Sequence, residues 1–207
     1  MDRGAELDHG AVRVGVLGGT FDPVHNGHLI LAECARAQLT LDLVLFVPTG
    51  EPWRKAHRSI APAGHRLAML ALAIAGNDSF GISDIEVRRA GPTYTADTLE
   101  ALAAERLDDE LYFIVGADAL ADLPNWHEPE RIAQHAILAV AQRGDQHIDV
   151  AIAAVPELTD RIVRFNMPPV AISSTEIRIR VVAGEAIGEL VPAGVARYIG
   201  EHGLYTA

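Results

Sequence analysis

The sequence has one cysteine, Cys34, and one lysine, Lys55, in 207 residues. A lone thiol excludes a disulfide framework and a thiolate zinc cluster, and a histidine pair alone would still need a third and fourth ligand at suitable spacing to hold zinc. No apolar run approaches the roughly 18 residues needed to cross a bilayer. Residues 1–11 are polar and charged, without the apolar segment of a secretory leader, so a disordered tail and a cytoplasmic location are expected. Positive charge is scarce as well: 17 Lys and Arg face 28 Asp and Glu, for a net charge of −11. Binding of nucleic acid through a broad basic surface is thereby excluded, although a local basic pocket for one phosphate is not. Gly15, Gly18 and Gly19 do not make G-x-G-x-x-G, and the Gly-Lys-Ser/Thr of a P-loop is absent.

What is present is a turn, Gly18-Gly19-Thr20-Phe21-Asp22-Pro23-Val24-His25-Asn26-Gly27-His28, between an apolar strand, Val12 to Leu17, and a helix that starts near His28. Paired glycines after a strand let backbone N–H groups approach a ligand with no Cβ in the way. Asn26 suits an N-cap, so the first helical turn would aim its positive end and its free N–H groups at the same place, flanked by His25 and His28. The string resembles the H-x-G-H signature of the nucleotidylyltransferase superfamily. That resemblance implies two histidines over the α-phosphate of a nucleoside triphosphate.

The rest of the chain alternates strand and helix. His28 to Leu39 has helical apolar spacing, and Leu41 to Pro48 is the nearly continuous apolar run of a strand covered on both faces. Residues 50–63 have no period and read as a long loop. A helix over His65 to Ala75, an alternating strand over Phe80 to Val87, and a helix capped by Thr95 come next. Leu111 to Val115 is a buried strand, with Gly116 and Asp118 at its carboxyl end, where open α/β sheets bind ligands. Short helices follow around Trp126, then strands over Ala136 to Gln142 and Arg161 to Phe165. In Ile172-Ser173-Ser174-Thr175-Glu176-Ile177-Arg178, hydroxyls precede a helix capped by Ser174, and Arg178 lies one turn inside: a second anion site. A closing helix covers Pro192 to His202. The fold class is α/β, a doubly wound, mostly parallel sheet, with one domain over 12–207 whose 172–207 part completes the triphosphate site.

Two phosphate cradles and two histidines, without an activated Ser, Cys or carboxylate pair, point to chemistry by positioning. In-line displacement at an α-phosphate needs a phosphate nucleophile and donors that neutralise growing charge. His25 and His28 are the expected donors, with Mg²⁺ held through the triphosphate and no metal site on the protein itself.

Four separated stretches are similar to bacterial nicotinate-mononucleotide adenylyltransferases, which join nicotinate mononucleotide to ATP on the way to NAD. They are the opening string, Gly91 to Thr98, Phe113 through Trp126, and Ile172 to Arg178. The resemblance implies that Gly18, Thr20, Gly116, Asp118, Ser173, Ser174, Thr175 and Arg178 bind ATP. It further implies that Gly19, Lys55, Thr95, Trp126 and His127 bind nicotinate mononucleotide, with Trp126 stacked on the pyridine ring and backbone N–H groups near Thr95 and His127 reading the carboxylate. Family members tend to carry Pro-His where this chain has Pro52-Trp53, ahead of Arg54 and Lys55, so Trp53 is expected at the pocket mouth on a lid over 50–63. Nucleic acid and membrane are not expected partners; a homodimer is the expected assembly, isologous dimers being common. Taken singly, Trp126 also reads as a core aromatic and Asp118 as a cap. A transferase acting on phosphopantetheine or a phospho-alcohol, or a non-catalytic nucleotide-binding module, is the alternative reading.

Overall fold

Strands packed on both faces require apolar residues at consecutive positions, and Val14, Val16 and Leu17, Val44 to Val47, and Leu111 to Val115 are all buried. The computed structural model describes residues 11–50, 60–143, 148–153 and 155–206. Its strands are β1 Arg13–Gly19, β2 Leu43–Pro48, β3 Phe80–Ile82, β4 Glu110–Gly116, β5 Ile137–Arg143 and β6 Ile162–Met167, in one sheet ordered β3-β2-β1-β4-β5-β6. All five pairings are parallel, so the expected doubly wound sheet is present.

The helices sort onto two faces. On one lie α1 Asn26–Leu39, α2 Ala63–Ile74, α8 Ser174–Val182 and α9 Ala193–Glu201, which bury Ala32, Met69, Ile177 and Val195 against Phe46, Ile114 and Phe165. On the other lie α4 Thr95–Glu105, α5 Ala117–Asp122, α6 Pro129–His135 and α7 Ile148–Ala153, which bury Leu99, Leu120, Ile132 and Ile148 against Val16, Phe113 and Val140. Alternate residues of one strand serve opposite faces, as period-2 geometry demands. Among the described residues no helix is long and apolar enough to cross a membrane.

Some expected boundaries shift. The strand expected over Phe80 to Val87 ends at Ile82, and Ile85–Arg88 forms one helical turn, α3. Glu86 points inward to the hydroxyls of Thr93 and Thr98 instead of outward from an exposed strand face. The α1 N-cap is His25 and not Asn26, whose side chain donates to the Glu189 carbonyl at 3.0 Å. Tyr94, not Thr95, caps α4, and Ser173, not Ser174, caps α8 by accepting from the Glu176 N–H. The tail over 1–10, most of the 50–63 loop with Trp53, Arg54 and Lys55, and part of 145–160 lie outside the described residues.

Candidate active site

The strand order reverses between β1 and β4, where an open α/β sheet offers a crevice at the carboxyl ends of its strands. Pairing between those two strands stops at Val16 and Phe113; beyond it Leu17 to Gly19 pair with β2 and Ile114 to Gly116 with β5. The opening is edged by Gly18 and Gly19 on one side and by Gly116, the N-cap of α5, on the other. Asp118 is exposed in the first turn of α5.

After Gly19 the chain makes a tight reversal through Phe21, at φ 49°, and the cis Asp22-Pro23 bond, delivering His25 to the start of α1. The rings of His25 and His28 stack with centroids 3.7 Å apart, and the edge of Phe21 supports His28 at 5.0 Å. The His25 N–H donates to His28 Nδ1 at 3.2 Å, which fixes the second imidazole from the backbone of the first. A Cβ at Gly27 would lie 3.0 Å from His25 Nδ1, so a larger residue there would press on the ring.

The second anion site is joined to this turn by direct bonds. Ser174 Oγ donates to the Pro23 carbonyl at 2.9 Å, and Arg178 Nη1 to the Asp22 carbonyl at 2.6 Å. Arg178 Nη2 also donates to Thr175 Oγ1 at 3.1 Å. Two candidate phosphate cradles separated by some 150 residues of sequence are thus joined: the histidines at the α1 start, and the α8 start with its hydroxyls and guanidinium.

The other half of the crevice is built on β4 and α4. Trp126 is half-buried, edge-on to Phe113 at 6.1 Å, and its Nε1 donates to Asp122 Oδ2 at 3.0 Å. The His127 ring packs on Tyr94 at 4.1 Å, next to Thr95 at the start of α4. Arg131 bridges α6 to α4 through Asp97 at 3.1 Å and Glu100 at 2.5 Å, so these residues are clamped as a group.

A family model described as cytidylyltransferase-like matches residues 16–180. A probable nicotinate-nucleotide adenylyltransferase of Thermomicrobium roseum is 49% identical over 195 residues, covering 93% of this chain and 91% of that protein. The chain belongs to the nicotinate-nucleotide adenylyltransferase family. A relative of the same description from Dehalococcoides mccartyi is 45% identical over 199 residues, 94% of this chain and 98% of that protein. The fold is similar to that of a Plasmodium falciparum nicotinic acid mononucleotide adenylyltransferase complexed with NaAD, with a TM-score of 0.78, 20% identity, and coverage of 94% of this chain and 97% of that one.

In this adenylyltransferase the expected site residues fall into two groups across one crevice, apart from Lys55, which lies outside the described residues. Three buried polar residues beneath them went unassigned in the sequence. Arg66, 2% exposed, donates from Nε to the Ala61 carbonyl at 3.0 Å, from Nη1 to Thr20 at 2.9 Å and from Nη2 to Gly50 at 3.2 Å. Burial lowers its pKa, opposed chiefly by Asp22. Asp22, 5% exposed, accepts at Oδ1 from the Ala61 N–H at 3.1 Å and from Tyr205 at 2.8 Å. Glu86, 8% exposed, accepts from Thr93 and Thr98, each at 2.9 Å, and burial raises its pKa above the ordinary value despite these donors. Arg66 had a signal. It shares a helix face with Met69 and Leu70, and an arginine at an apolar position implies buried acceptors.

Proposed function

We propose that the chain transfers the adenylyl group of ATP to nicotinate mononucleotide, giving nicotinate adenine dinucleotide and pyrophosphate, by direct in-line displacement at the α-phosphate. The observation that carries this reading is the stacked pair His25 and His28 at the β1–β4 crevice, bonded through Pro23 and Asp22 to the hydroxyl and guanidinium groups of α8. In-line displacement asks the protein for position and for donors that meet charge as it develops, not for a nucleophile. His25 and His28 serve as those donors at the α-phosphate. Gly18, Thr20, Ser173, Ser174, Thr175 and Arg178 hold the remaining phosphates, and Gly116 and Asp118 meet the base and sugar.

On the acceptor side, Gly19 and Lys55 line the mononucleotide, Trp126 stacks on its pyridine ring, and N–H groups at Thr95 and His127 receive its carboxylate. Such donors favour a carboxylate over a carboxamide, whose NH₂ would meet them donor to donor. Magnesium fits this reading as an ion carried on the triphosphate. The described groups around the cradle include N–H and O–H donors suited to phosphate oxygens, and Asp22, the carboxylate within the turn, is already engaged by Ala61, Tyr205 and Arg178. When bound, the ion offsets negative charge on the phosphates. The reading also has the enzyme working in the cytoplasm as a homodimer.

The test is pyrophosphate release from ATP and magnesium with nicotinate mononucleotide, nicotinamide mononucleotide or phosphopantetheine as acceptor. The expected result is a strong preference for the first, with turnover lowered on the order of 10²–10³-fold in His25→Ala. Turnover with phosphopantetheine alone would discard the substrate and keep the mechanism. Full activity in His25→Ala would discard the mechanism.

A further inference from the structure

The C-terminal helix ends at Glu201, and the chain then turns back toward the active site through Gly203 and Tyr205, both at positive φ. Tyr205 is half-buried and packs beside the apolar cluster of the α1 face, a position its ring alone explains. Its hydroxyl is not explained by packing. It donates to Asp22 Oδ1 at 2.8 Å, across 183 residues of sequence.

Asp22 faces four polar partners: the Tyr205 hydroxyl and the Ala61 N–H on Oδ1, Arg178 at 3.7 Å from Oδ2, and the charge of Arg66. Arg178 is therefore gripped from one residue by both backbone and side chain, through the Asp22 carbonyl at 2.6 Å and the Asp22 carboxylate. Among the described residues its hydrogen bonds, to Asp22 and Thr175, occupy one N–H on each Nη. Other donors of the guanidinium fork are left for an anion at the α8 start. A carboxylate free to rotate could swing onto Arg178 and take up those donors itself. The hydroxyl and the N–H, both on Oδ1, hold it away from that geometry.

We propose that Tyr205 and Asp22 are positioning residues that aim the Arg178 guanidinium at the ATP phosphates, so that the extreme C-terminal segment is a working part of the triphosphate site. This rests on the assignment of ATP phosphates to the α8 start. The Tyr205 hydroxyl stays protonated at every physiological pH, since burial and Asp22 push its pKa up. It therefore acts as a fixed donor.

The experiment compares the full chain with Tyr205→Phe, which keeps the ring and removes one oxygen. KM for ATP is expected to rise about five-fold, the worth of one net hydrogen bond, with KM for nicotinate mononucleotide unchanged. In an Arg178→Lys background the same change is expected to leave KM for ATP where Arg178→Lys alone puts it. Effects of the two variants that multiply, or an equal rise in both Michaelis constants, overturn the proposal. Should Tyr205→Phe fail to fold, Asp22→Asn carries the test. Its amide oxygen still accepts from Tyr205 and Ala61 while the charge facing Arg178 is gone, and an unchanged KM for ATP there is equally fatal. Calorimetric titration of ATP into the same variants without acceptor separates this inference from its parent. Weaker ATP binding supports it even if nicotinate mononucleotide is not the acceptor, and unaltered binding overturns it even if it is.

Discussion

Two buried carboxylates lie beneath the two halves of the crevice, and they are held by different balances of charge and neutral donors. Asp22, under the phosphate half, sits between two guanidinium groups, Arg66 and Arg178, with Tyr205 and Ala61 as neutral donors. Glu86, under the half assigned to the acceptor, has no salt-bridge partner among the described residues; it accepts from Thr93, Thr98 and the Gly50 N–H, with the charge of Arg89 farther off. Charge around Asp22 binds together backbone from Thr20, Gly50 and Ala61, which suits a surface that must stay fixed while charge moves across it. Around Glu86 the threonines flank Tyr94 and Thr95, so a single side chain sets the turn whose N–H groups are assigned to a ligand carboxylate. Burial raises the pKa of Glu86 because its donors do not fully replace lost water.

The strongest way to break the comparison is Arg66→Met. If the phosphate half is held by charge, this variant strands three carbonyls and leaves Asp22 beside Arg178 alone. It should lose about 3–5 kcal/mol, the usual cost of removing one partner from a buried charged network. Urea unfolding reads the loss. A cost near 1 kcal/mol would mean that water replaces the guanidinium and that the charge around Asp22 is incidental.

The sheet was legible because burial on both faces leaves runs such as Leu43–Pro48 with nothing polar to hide, and candidate site residues could be named because their motifs are local. Long-range bonds were not. Asn26 and Ser174 have the side chains of N-caps, yet Asn26 is used on Glu189 and Ser174 on Pro23, 151 residues away, so each cap moves back one residue. Nothing in the string Ser173-Ser174 says which hydroxyl turns inward. Glu86 was hidden because an alternating stretch reads equally as a strand, and the donors that make an inward glutamate tolerable, Thr93, Thr98 and the Gly50 N–H, come from elsewhere in the chain. Tyr205 carries no local signal, since its partner is 183 residues distant.

Thr98→Val comes next in size. It keeps shape and removes one donor from a buried carboxylate, for an expected loss of about 1.5–3 kcal/mol at neutral pH. Glu86→Gln sharpens the same point through pH. The pKa of Glu86 is raised in the folded chain, so its contribution to stability is fully present below the ordinary value of 4.5 and is lost as pH rises through the folded value. Wild type should therefore lose ground to Glu86→Gln as pH increases from 4.5 toward neutrality, as followed by thermal melts of both proteins. A difference independent of pH would mean that the hydroxyl donors fully compensate the charge, and that the two halves of the site are held alike.

The smallest effect tests the phosphate half from its neutral side. Ser174→Ala deletes only the bond to the Pro23 carbonyl, leaving the Ser173 cap, Thr175 and the Arg178 contact with Asp22 in place. With charge dominating this half, the loss should be about 0.5–1.5 kcal/mol in stability, less than that of Thr98→Val across the crevice. Denaturant midpoints of the two variants, measured side by side, give the ranking. If Ser174→Ala were the more damaging of the two, hydroxyl bonds would be setting the register of α8 against the His25 turn, and Arg178 would be following that register, not fixing it.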